Sequence, residues 1–170
     1  MGIDIYLEWD GINEDDKKAQ WGTGFSVTSG DAGYLREAYH GGPYATKILC
    51  REAFESETCR AEIPAETLRE RLTNVTEPAY NKSAGHNMAV QIMTMFQTMG
   101  MQVEGGPIEQ RDTTAPMTVE EAVRERQRTV YAGDDPDMTA RVLQSFRDFV
   151  ALAEQKERET GKPCTIYASY

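Results

Sequence analysis

Apolar and polar residues alternate at both ends of the chain and recur at helical spacing between them. Ile3, Ile5, Leu7 and Trp9 alternate with Asp4, Tyr6 and Glu8, the period of a strand with one buried face. Near the other end, Cys164, Ile166, Ala168 and Tyr170 alternate with Thr165, Tyr167 and Ser169. Between them, Met138, Val142, Phe146, Phe149, Val150 and Ala153 line one side of a helix. Asp135 caps that helix, Pro136 takes its first position, and Gly161 with Pro163 stops it. Thr118 and Glu121 form a capping-box pair that opens a charged helix to about residue 131.

Weaker signals fill the rest. Asn13 caps a short helix over residues 14–20 with acids in its first turn. Asp31 caps a predicted helix over 33–39, which Gly41-Gly42-Pro43 stops. Residues 44–49 and 58–63 are expected to be strands, and a further short one is possible around Phe25 and Val27. Pro64 opens a helix that carries Leu68 and Leu72. Residues 73–83 are expected to be loop. Residues 84–99 form a predicted helix with Met88, Ile92, Met95, Phe96 and Met99 at helical spacing, and 110–116 a linker.

The sum is an α+β fold. One mixed or antiparallel sheet of four to five short strands holds both terminal strands, with helices mostly on one face. At 170 residues the chain suits a single domain, 1–170, with 73–117 as its mobile part.

Composition narrows the setting. Hydrophobic residues make up 39% and charged residues 27%, a globular balance. The three cysteines, Cys50, Cys59 and Cys164, show no Cys-x-x-Cys spacing, so neither a disulfide framework nor a zinc knuckle is expected. No apolar run reaches the ~20 residues that cross a bilayer, and the first residues lack the pattern of a signal peptide. A cytoplasmic protein is expected. Its net charge of −10 would repel phosphate backbones, so no nucleic-acid partner is expected either.

The densest chemistry lies in residues 33–44, where Tyr34, Arg36, Tyr39, His40 and Tyr44 crowd together beside three glycines. On a helix, Arg36 and His40 would share a face. Arginine anchors carboxylate or phosphate, and tyrosine offers a stacking surface with a polar tip. These five residues are the candidate site for a small anionic ligand, a nucleotide-like one included. The plainer reading makes the same residues core, a local ion pair and a turn.

Asp4, Glu8 and Asp10 would share a face if the first strand ran on, and carboxylates so placed could hold a divalent metal. With His40 nearby, a metal-assisted hydrolase or phosphoesterase is the alternative. A solvated strand face looks the same. The glycine-rich stretch 22–30 lacks a P-loop lysine and the dinucleotide fingerprint. Cys59 and Cys164 read as inert buried thiols. Methionines between Met88 and Met101 could form a homodimer face. Net charge alone motivates a third reading, an acidic inhibitor or decoy for a basic protein partner.

The opening Met-Gly-Ile-Asp-Ile-Tyr-Leu-Glu-Trp-Asp-Gly, the segment Gly-Tyr-Leu-Arg-Glu-Ala-Tyr-His-Gly, Ser-Phe-Arg-Asp-Phe-Val-Ala-Leu, and the closing Gly-Lys-Pro-Cys-Thr-Ile-Tyr-Ala-Ser-Tyr resemble a family of small bacterial or phage-borne proteins of unassigned function. The resemblance implies no activity and gives no residue a role. The leading expectation is therefore a non-catalytic binding protein with its pocket around residues 34–44.

Overall fold

The structure is a computed structural model that describes residues 2–22, 29–38, 42–79, 115–131 and 135–170. Four strands form one antiparallel sheet in the order β2-β1-β4-β3: β1 (Gly2–Glu8), β2 (Tyr34–Ala38), β3 (Arg60–Ile63) and β4 (Cys164–Ser169). The two terminal strands are neighbours at its centre, with Ile5 opposite Ala168 and Tyr6 opposite Tyr167. The expected α+β architecture is therefore present, and the sheet is antiparallel throughout.

Alternation divides the sheet into two faces. Ile3, Ile5, Leu7, Leu35, Ile63, Cys164, Ile166 and Ala168 are buried in one core with Ile48, Leu49, Phe54, Leu68, Phe146 and Phe149. Those last six belong to helices α2 (Ala45–Leu49), α3 (Arg51–Glu55), α4 (Ala65–Thr73) and α6 (Pro136–Thr160). Helix α5 (Val119–Tyr131) adds Val119, Ala122 and Val123 to the same core. The opposite face carries Asp4, Tyr6, Glu8, Arg36, Thr165, Tyr167 and Ser169, all half-buried, with the more exposed Arg60 and Glu62 at its edge. Helix α1 (Glu14–Gly22) leans Trp21 over this face, stacked on Tyr6 with ring centres 5.4 Å apart.

The helix ends explain why these segments stop where they do. Asp135 accepts hydrogen bonds from the amides of Asp137 and Met138, and Gly161 closes α6 at φ 72°. Thr118 and Glu121 cap each other's amides at the start of α5. Asn13 accepts from the amides of Asp15 and Asp16. Pro64 has no side chain to cap α4, and the Glu157 carboxylate on α6 accepts from the Ala65 amide at 2.7 Å instead.

Gly30 fixes how the chain enters β2. A Cβ there would lie 1.6 Å from the Ser145 carbonyl oxygen of α6, so only glycine lets this turn lie flat on the helix.

Two expected elements exchange identity. Residues 34–38 form β2 rather than a helix, and 45–49 form α2 rather than a strand. Leu, Arg, Glu and Ala favour helix locally, but pairing with β1 from Gly2↔Ala38 to Tyr6↔Tyr34 overrides that preference. In α2 the decisive group lies outside the segment, on β2. The expected methionine helix, its dimer face and the strand near Phe25 fall outside the described residues.

Candidate functional site

Strand β2 sends alternate side chains to opposite faces, and this separates the residues that sequence places together. Tyr34 and Arg36 reach the open face and converge on Asp4 of β1. The Tyr34 hydroxyl donates to Asp4 Oδ1 at 2.5 Å, and the Arg36 guanidinium donates to the same oxygen at 3.0 Å. Burial, reinforced by the Asp4 bond, pushes the Tyr34 phenol up to about 12. The Tyr34 bond chiefly, with Asp4, holds Arg36 more firmly in its charged form. Arg36 is thus an ion-pair partner in a three-residue network, and it stands on a strand rather than on the predicted helix.

The other two candidate carboxylates are also engaged. Glu8 takes Arg60, the residue that also covers the Tyr167 ring. Asp10 lies beyond the end of β1 in a turn, where Lys162 meets it at 2.9 Å. Asp4, Glu8 and Asp10 therefore answer to three different cations. Among the described residues, no group of three or more His, Cys, Asp or Glu side chains could hold a metal ion. Tyr39 and His40 lie outside the described residues.

The helix-facing side of β2 is chemically richer. Glu37 is 1% exposed. Its carboxylate accepts from the amides of Ala45 and Thr46 at 3.1 and 3.0 Å, and from the Thr46 hydroxyl at 2.6 Å. A buried carboxylate at a helix N-terminus satisfies orphan amides there, so Glu37 is what makes a helix of a segment that reads locally as a strand. Tyr44 stands at the N-cap of this helix.

Lys47, the third residue of α2, is 3% exposed. Its Nζ lies 4.8 Å from the ring centre of Tyr44, 5.6 Å from Phe54 and 6.0 Å from Tyr170. Phe54 and Tyr170 pack against each other, with the Cys59 thiol 4.0 Å from the Tyr170 hydroxyl. Three aromatic faces stabilise a cation, but they accept no ordinary hydrogen bond. Among the described residues, Lys47 has no salt bridge and no hydrogen-bond acceptor. Burial lowers its pKa to about 8, against the opposing pull of the Glu37 charge.

Of the predicted residues that the structure describes, Tyr44 lines this cage. Lys47, Glu37, Phe54 and Tyr170 were not anticipated. The available signal was one lysine inside the otherwise uncharged run 44–50, Tyr-Ala-Thr-Lys-Ile-Leu-Cys. On the predicted strand it would simply point outward. The other reactive candidates are quiet: burial raises the Cys50 thiol and pushes Cys164 up to about 11.

No family model, no curated protein and no solved structure matches this chain, so no relative's role transfers to Lys47 or to Arg36.

Proposed function

We propose that the protein is a non-catalytic binding protein for a small carboxylate- or phosphate-bearing ligand, with Lys47 as the counter-charge. The observation behind this reading is the Lys47 ammonium itself: buried, ringed by Tyr44, Phe54 and Tyr170, and without an acceptor among the described residues. An ammonium that has lost water and gained no acceptor costs several kcal/mol. A ligand oxygen would restore the missing hydrogen bonds, and the apolar walls would strengthen the attraction. The site moves from Arg36, whose charge Asp4 already offsets, to the next cation along the chain. A cytoplasmic setting belongs to this reading, in keeping with three free thiols. Among the described residues no helix is long and apolar enough to cross a membrane.

The test is a titration with inorganic phosphate and with acetate, followed by calorimetry or by amide shifts of α2. Saturable binding should disappear in Lys47→Met while the fold persists. A folded Lys47→Met protein that binds either anion as well as the wild type contradicts the proposal.

A further inference from the structure

A groove of about 270 Å³ runs between α5 and α6, lined by Glu120 and Arg124 from one helix and by Pro136, Thr139, Ala140, Leu143 and Arg147 from the other. Glu120 and Arg124 pair at 2.7 Å. Arg147, one turn along the wall from Leu143, has no ion-pair partner among the described residues. Among the described residues, the lining thus carries one positive charge without an ion pair, in a chain of net charge −10.

The groove also contains an unsatisfied polar group. Thr139 is 6% exposed, and its hydroxyl is buried without a hydrogen-bond partner. Helical threonine populates two χ1 rotamers, and a change between them carries the hydroxyl to a different staggered position. A ligand oxygen can therefore recruit this hydroxyl, offsetting the cost of leaving it unpaired. Pro136, Ala140 and Leu143 supply apolar surface next to it.

We propose that this groove is a second binding site, for an organic carboxylate with a short apolar tail. The carboxylate takes the Arg147 guanidinium, whose planar fork matches it. One of its oxygens takes the Thr139 hydroxyl, and the tail lies over Pro136, Ala140 and Leu143.

Hexanoate is the probe, with 1-hexanol as its uncharged counterpart, and amide shifts of α5 and α6 are the readout. Hexanoate should bind the wild type saturably and the alcohol should bind far more weakly. Arg147→Gln, an exposed position, should weaken hexanoate about tenfold or more. Thr139→Val should weaken it by less while raising the melting temperature, because the orphan hydroxyl is gone. Lys47→Met should leave these shifts unchanged, which separates this site from the one around Lys47. Equal affinity of Arg147→Gln and wild type, equal affinity for hexanoate and hexanol, or no saturable shift in the wild type would each overturn the proposal.

Discussion

Arg36 and Lys47 are eleven positions apart in sequence and live under opposite conditions. Arg36 lies on the open face of the sheet and shares Asp4 Oδ1 with the Tyr34 hydroxyl. Lys47 lies on the helix side behind three aromatic rings, with the Glu37 carboxylate occupied by the amides of α2. The first cation has its counter-charge within the fold, so removing it should cost stability. The second has no ion pair or hydrogen-bond acceptor among the described residues, and its burial outweighs the pull of Glu37, so removing it should add stability. A group that a fold would be better off without is a stronger sign of a binding role than a group the fold uses.

The sharpest break in that comparison comes from Glu37. Glu37→Ala strands two amides and a hydroxyl in the core and takes away a nearby charge that favours the Lys47 ammonium. We expect a loss of about 4 kcal/mol, visible as an early urea midpoint. A loss under 1 kcal/mol would mean that α2 does not depend on this cap.

Lys47→Met should move stability the other way. The pKa falls from 10.5 to about 8 on folding, and such a shift corresponds to about 3 kcal/mol spent on burying the charge at neutral pH. Because the folded pKa is the lower one, the unfolded chain holds more protons between about pH 8 and 10.5. The Lys47 contribution to stability should therefore rise through that window, by up to the same amount, and level off above it. The buried Cys50 and Cys164 thiols act in the opposite sense in both proteins, so the rise is read as the difference between wild type and the Met variant. The Met variant should be more stable than wild type at pH 7 and should lack this rise. Urea unfolding of both proteins at pH 7 and at pH 10.5 checks both statements.

Asp4→Ala should cost about 2 kcal/mol, since it leaves the Arg36 guanidinium and the Tyr34 hydroxyl without their shared acceptor on a partly covered face. Lys162→Ala stands at the small end. Its pair with Asp10 is largely solvent-exposed on both sides, and thermal melts should not distinguish the variant from wild type.

Much of the frame was legible because its signals are local. Asp135, Pro136 and Gly161 bound α6, the Thr118 and Glu121 pair opens α5, and the alternation of β1 and β4 marks both strands and their buried faces. The errors fall where distant partners decide. Residues 34–38 carry helix-favouring side chains and become a strand because β1 pairs with them. Residues 45–49, with Thr46 and Ile48, look like a strand and become a helix because Glu37 supplies their cap. Both reversals hide the candidate site: with residues 33–39 read as a helix, Arg36 faces His40, and with 44–49 read as a strand, Lys47 faces water. In the fold, alternation along β2 sends Arg36 to Asp4 and Glu37 to α2, and the turn of α2 brings Lys47 beneath the rings. The ligand-binding candidates legible in sequence span 34–44 and do not include Lys47, the cation of the proposed site.

The most direct test is the pH dependence of anion binding. Inorganic phosphate and acetate are titrated into wild type and Lys47→Met at pH 7, 8 and 9.5, with affinity read by calorimetry. If the Lys47 ammonium holds the anion, wild-type acetate affinity stays nearly constant up to about pH 8 and then falls toward tenfold per pH unit as the amine deprotonates. Lys47→Met should not bind at any of the three, although it is the more stable protein at pH 7. Acetate affinity in the wild type that ignores pH across this range, or a Met variant that binds as tightly, would contradict the account.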